Sequence, residues 1–136
     1  MAQARAGLPE ADRGKERRFL LSPNSLVRLE GLAAVVLAVW WYAAFGASWV
    51  LFAILFLAPD IAMLGYLAGP RAGAALYNLV HTYTSAAILA GLGTVTGHRL
   101  LVYLALILAA HIGVDRLLGF GLKYPSGFKD THLQRL

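Results

Sequence analysis

Four ionisable residues stand out because each interrupts an apolar stretch long enough to cross a bilayer. They are Asp60 after Pro59, His81 within Tyr77-Asn-Leu-Val-His-Thr-Tyr-Thr-Ser85, and His111 with Asp115 one helical turn later. Hydrocarbon does not solvate such groups. A charged carboxylate at a helix centre costs at least about 2.5 kcal/mol on insertion scales, so these side chains must face protein or a wet cavity, and such positions usually mark function. Counting about 1.5 Å per residue from the ends of their stretches puts Asp60, His81 and His111 roughly 15 to 18 Å deep, near the middle of a core about 30 Å thick. Asn78 comes about one turn nearer the cytoplasm, and Asp115 shares a face with His111 because residues four apart stack. Read as one helix, the polar run puts Asn78, His81, Thr82 and Ser85 on a common face.

Imidazole and carboxylate at one depth suit a divalent metal such as Zn, Mn or non-haem Fe. The tentative ligands are Asp60, His81 and His111, with Asn78 and Asp115 lining the cytoplasmic side. If the three converge, their tips should lie roughly 3 to 5 Å apart without the ion. The chain has no cysteine, which excludes disulfides, thiolate sites and iron–sulfur clusters and removes any preference for Cu(I). The same residues could hold a proton or a small ligand, and His81 and His111 could be axial ligands to a haem. In a membrane enzyme, metal-bound water would attack a lipid or lipid-linked substrate whose phosphate head group is held by Arg116, Lys123 and Lys129. A structural scaffold needs only the bland reading of each residue. Asp60 then caps the second half of a helix broken at Pro59, the histidines are hydrogen-bonded packing residues, and Asp115 and Arg116 are an interfacial ion pair. Glu30 lies nearer the cytoplasmic face, within reach of Arg28, Arg116 or the basic tail.

The elements that position these residues follow from composition. Of 136 residues, 59% are hydrophobic and 14% charged, against about 25% charged in soluble domains, and the apolar residues come in blocks. The pattern predicts an all-α, integral membrane protein with four transmembrane helices. Residues 1–25 are expected to form a mobile basic cytoplasmic tail, 26–118 the transmembrane domain and 119–136 an interfacial cytoplasmic tail. The first crossing runs from about Leu26 to Phe45. An aromatic belt of Trp40, Trp41, Tyr42 and Trp49 surrounds the turn at Gly46-Ala-Ser48. The second crossing, about Ser48 to Ala68, is kinked at Pro59. The third runs from about Ala72 to Leu92 and is rich in Gly and Ala, and the fourth from Arg99 to about Leu118. Six Lys and Arg precede Leu29, Arg71 sits in the middle loop, four lie from Arg116 onward, and Arg99 alone falls on the other side. That asymmetry places both termini in the cytoplasm of a multi-pass protein of a bacterial inner membrane. Its partner is the lipid bilayer. The net charge of +5 reads as topology, with no nucleic-acid surface, and the sequence leaves a homo-oligomer or a protein partner open.

Certain residues also carry a resemblance: Arg28-Leu-Glu-Gly31, Pro59-Asp60 with Leu64-Gly-Tyr66, Gly73 with Tyr77-Asn78 and His81, and His111-Ile-Gly-Val-Asp-Arg-Leu-Leu-Gly-Phe-Gly-Leu-Lys-Tyr124 running on to Phe128-Lys-Asp-Thr-His-Leu133. From Leu26 to Leu133 the chain resembles the uncharacterised bacterial membrane-protein family called domain of unknown function 4260. The final segment is its most specific part. The resemblance implies a small multi-pass membrane protein and supplies no reaction and no catalytic residue.

Overall fold

Ser22 and Pro23 start the first helix three residues earlier than expected. The Ser22 Oγ accepts the Ser25 N–H at 3.3 Å, and proline in the first turn needs no donor. The computed structural model describes residues 21–136, so most of the expected basic tail, residues 1–20, lies outside the described residues. Helix α1 runs Pro23–Ala44. Ser48 then caps α2, Trp49–Leu55, accepting the Leu51 N–H at 3.3 Å. Its carbonyl accepts the Tyr42 hydroxyl at 2.6 Å. That bond turns Tyr42 inward against Trp49, Phe52 and Tyr103, with ring centroids 5.2, 5.1 and 5.9 Å away. Tyr42 is therefore a fully buried core residue rather than part of a belt, whereas Trp40, Trp41 and Trp49 stay exposed.

Pro59 ends the α-helical geometry of the second stretch more thoroughly than a kink. After Leu55 the chain turns and continues as a 3-10 segment, Ala58–Ala68, of 11 residues. Runs beyond about four residues are uncommon for this tighter helix and often mark function or strain. Helices α3, Pro70–Val80, and α4, Tyr83–Thr96, follow, where one continuous third crossing was expected. Helix α5, Arg99–Leu118, completes the set. Among the described residues there are no strands, only an isolated bridge between Lys123 and Thr131.

Three of these stretches are long and apolar enough to cross a membrane: Pro23–Ala44, Trp49–Ala68 and Arg99–Leu118. Large apolar side chains such as Val50, Ile54, Leu67 and Val95 point outward, an exterior that suits lipid and not water. Inside, α5 packs along α1 on one side and α4 on the other, while α3 packs on the 3-10 segment. Backbones touch where α1 crosses α5. A Cβ on Gly113 would lie 2.6 Å from the Gly31 oxygen and 2.7 Å from Val35 Cγ2, so the small residues set this crossing. Gly113→Val should force the two longest helices apart and destabilise the fold by about 3 kcal/mol, the upper end of overpacking penalties. Thermal unfolding in detergent measures this, and an unchanged midpoint would mean that the crossing tolerates a branched side chain at this position.

Gly119 ends α5 at φ 96°, a left-handed cap, and the Phe120 N–H reaches back to the Asp115 carbonyl at 2.7 Å. The tail that follows folds back under the bundle. It buries Leu133 in a 3-10 turn, His132–Gln134, and Asn24 Nδ2 of α1 donates to the Leu133 carbonyl at 2.9 Å.

Candidate metal centre

The break between α3 and α4 explains the polar run. Interrupting a helix exposes carbonyls at the end of one half and N–H groups at the start of the next, and at membrane depth each needs a partner from protein. The run supplies them locally. Thr82 Oγ1 accepts the Thr84 N–H at 3.4 Å, and the Ser85 hydroxyl donates to the Leu79 carbonyl. Arg116 sends Nη2 to the His81 carbonyl at 3.0 Å and Nη1 to the Phe120 carbonyl at 2.9 Å. Thr82 and Ser85 are thus caps of a broken helix, not one face of a continuous one. Arg116, expected among the cytoplasmic-face residues, is buried, with its guanidinium taken up by two backbone carbonyls and no ion pair to Asp115.

Two breaks and one intact helix bring four side chains together. Asp60 comes from the start of the 3-10 segment, His81 from the end of α3, and His111 and Asp115 from successive turns of α5. One donor atom of each lies within 4.8 Å of all the others. His81 Nε2 is 3.2 Å from His111 Nε2, 3.4 Å from Asp60 Oδ1 and 3.7 Å from Asp115 Oδ2. His111 Nε2 is 3.5 Å from Asp60 Oδ1 and 3.6 Å from Asp115 Oδ2. Both histidines are buried and the carboxylates partly so. No backbone N–H of the 3-10 segment is capped by a side chain at its start, so the Asp60 carboxylate is left to the cluster.

Neighbours orient two of the four donors, His81 and Asp115, while His111 Nδ1 is buried without a partner among the described residues. His81 Nδ1 is 2.9 Å from the Tyr77 carbonyl. A carbonyl only accepts, so Nδ1 carries the proton and Nε2 presents its lone pair to the cluster. The Tyr77 ring stacks on His81 at 3.7 Å, and its hydroxyl donates to Asp115 Oδ2 at 3.1 Å. A ring N–H on a carbonyl and a hydroxyl on a carboxylate are how metal ligands are usually held by their surroundings. Tyr77 is not among the candidate site residues read from the sequence. Its position four residues before His81 was the available signal.

Asn78 does not line the cluster. Its amide donates to the Lys123 carbonyl and accepts the Lys123 N–H, both at 2.7 Å, pinning the tail against the C-terminal end of α3. Between that tail and the cluster lies a pocket of about 200 Å³, with Asp60 and Asp115 on one wall and Lys123, Lys129 and Thr131 on the other. Glu30, on α1, is exposed and does not belong to the cluster. His132 helps to dock the tail, since its Nδ1 accepts the Leu122 N–H at 2.8 Å. Burial, and then the nearby positive Arg116, hold this imidazole below its ordinary range. A folded value below the unfolded one means that docking is complete above about pH 6.5 and is lost as the pH falls through the folded value. Amide exchange at Leu122, corrected for intrinsic rate, should therefore quicken from pH 7 to pH 5. Constant protection would argue against the bond.

No curated protein and no solved structure matches the chain. A family model described as Domain of unknown function (DUF4260) matches residues 24–136, a span that includes all four residues of the cluster and the tail that covers it. The resemblance read from the sequence is thereby shown, and the chain belongs to the DUF4260 family.

Proposed function

We propose that the chain is a membrane-embedded metal-binding protein in which Asp60, His81, His111 and Asp115 hold one divalent ion. The spacing of the donors carries this reading. A tetrahedral ion with bonds of about 2.0 to 2.2 Å has its ligand atoms about 3.3 to 3.6 Å apart, and five of the six donor separations run from 3.2 to 3.7 Å. The sixth, between the two carboxylates, faces the pocket and is bounded at 4.8 Å. A wider angle there would leave room for one exchangeable ligand. Charge supports the same reading. Two carboxylates and two neutral imidazoles sum to minus two, which one dication cancels, and burying that charge uncompensated would cost several kcal/mol. The donor set favours Zn, with Mn or Fe(II) next.

A haem fits less well. Axial imidazoles need nitrogens about 4 Å apart across a porphyrin, twice a bond of about 2.0 Å, whereas these lie 3.2 Å apart and turn toward the same carboxylates. The deciding experiment is elemental analysis of protein purified in mild detergent without added chelator. About one equivalent of a single transition metal per chain is expected. Metal-free protein that binds no Zn, Mn or Fe(II) on titration would leave a proton-sharing cluster instead.

The reading includes four crossings of a bacterial inner membrane: α1, α2 with the 3-10 segment, α3 with α4, and α5. Both ends are cytoplasmic, with 119–136 as the cap over the site. The one-sided Lys and Arg distribution supports it. So does the break between α3 and α4, where His81 is buried and Thr82, Ser85 and Arg116 take up freed backbone groups, since irregular backbone within a crossing needs protein partners. Reporter fusions at Ser48, Arg71, Gly97 and the C-terminus should alternate out, in, out, in. A periplasmic C-terminus would sink the scheme.

A further inference from the structure

We infer that the pocket between the four-residue cluster and the tail binds a phosphate group, whose oxygens are shared between the bound ion and the ammonium groups of Lys123 and Lys129. The inference rests on the metal reading and adds a ligand class to it.

Lys123 carries the first observation. Its Nζ donates to the Phe128 carbonyl at 3.0 Å and lies over the rings of Phe128 and Tyr77, 3.3 and 4.6 Å from their centroids. Among the described residues it forms no ion pair, even with Asp60 and Asp115 on the facing wall. Partial burial lowers its pKa, while those two carboxylates work against the shift. A cation clamped by two rings and a carbonyl, lacking an anion, is organised to receive one.

Thr131 carries the second. It lines the same pocket, is 4% exposed, and its hydroxyl has no hydrogen-bond partner. A buried hydroxyl without a partner is destabilising, and a ligand oxygen would offset that. Charge then selects the ligand. Once an ion neutralises Asp60 and Asp115, the wall retains Lys123 and Lys129, so the pocket is left with a surplus of two positive charges. At about 200 Å³ it holds several times the about 30 Å³ share of one water. A tetrahedral oxyanion can touch an ion on one side and two ammonium groups on the other, which a planar carboxylate does poorly. The phosphate can belong to a free phosphoester or to a lipid head group entering from the bilayer.

Cobalt-loaded protein gives a readout of both the ion and the ligand, because its visible bands report tetrahedral binding and shift when a new oxygen reaches the metal. Inorganic phosphate in detergent, and phosphatidic acid in nanodiscs with phosphatidylcholine nanodiscs as reference, are the two probes. A shift with inorganic phosphate identifies a site open to free phosphate. A shift with phosphatidic acid alone identifies a lipid head group, and either outcome supports the inference. Lys123→Met and Lys129→Met should each weaken the effective probe about tenfold while leaving the cobalt bands of the unliganded protein in place. Thr131→Val should weaken it less. Cobalt bands that respond to neither probe, or equally to acetate, would overturn the phosphate inference and leave the metal reading standing. If no cobalt binds, the metal reading fails and this inference fails with it.

Discussion

Replacing His111 by alanine should reduce bound metal from about one ion per chain to below about a tenth, and His81→Ala should do the same. Each removes one of the four donors that lie 3.2 to 3.7 Å from their neighbours. Losing an imidazole leaves one nitrogen and two carboxylate oxygens in a site whose geometry was set by four donors, and that weaker set should give up the ion when the protein is washed with a competing chelator. Asp115→Asn keeps an oxygen donor but loses its charge and should weaken binding without abolishing it. Tyr77→Phe tests the support rather than the ligands. It deletes the hydroxyl that holds Asp115 Oδ2 at 3.1 Å but keeps the ring stacked on His81, so affinity should fall about 10- to 100-fold, the range for such outer partners. This ordering separates a metal site from a packed polar core. In a core without metal, the two histidine variants would differ from wild type in stability alone, and Tyr77→Phe would cost only the net worth of one hydrogen bond, about 1 kcal/mol.

How much of this was legible in the sequence depends on what each residue does. Asp60, His81, His111 and Asp115 could be singled out because an ionisable side chain in an apolar block has so few reasons to be there. Their common depth followed from counting along the stretches. Asn78, Thr82 and Ser85 were misjudged for a related reason. A polar side chain in such a block can serve a ligand or can serve the backbone, and helical periodicity cannot tell these apart. Here Thr82 and Ser85 satisfy groups freed by the α3–α4 break, and Asn78 holds the Lys123 backbone. The break has no proline or glycine to announce it, unlike the change at Pro59. Arg116 was hidden by the same limit: its position near the end of α5 fits an interfacial charge, while its partners, the carbonyls of His81 and Phe120, lie 35 residues back and 4 residues on. The tail's docking was open for want of any periodicity. Only folding puts Lys123 opposite Thr131 and both beside the carboxylates.

Arg116 gives the second large effect. Its guanidinium bridges the end of α3 and the start of the tail, donating to the His81 carbonyl at 3.0 Å and the Phe120 carbonyl at 2.9 Å from a buried position. Arg116→Met should leave both carbonyls without a donor, at about 1 to 3 kcal/mol each, and lower the unfolding midpoint in detergent by at least about 5 °C. Arg116→Lys is the sharper test. Lysine keeps the charge and most of the length, but one ammonium cannot reproduce a planar fork whose two nitrogens serve two fixed acceptors. Because the freed carbonyl belongs to His81 itself, a loosened break should let that imidazole drift from its 3.2 to 3.7 Å contacts. Metal affinity should then drop about tenfold or more even where Arg116→Lys remains folded by circular dichroism. The two variants thus divide the residue's roles, with methionine reporting on the backbone break and lysine on how tightly that break holds His81 to the ion. If Arg116→Lys binds metal as well as the parent protein does, the break is held by Thr82 and Ser85 alone, and Arg116 serves only to dock the tail.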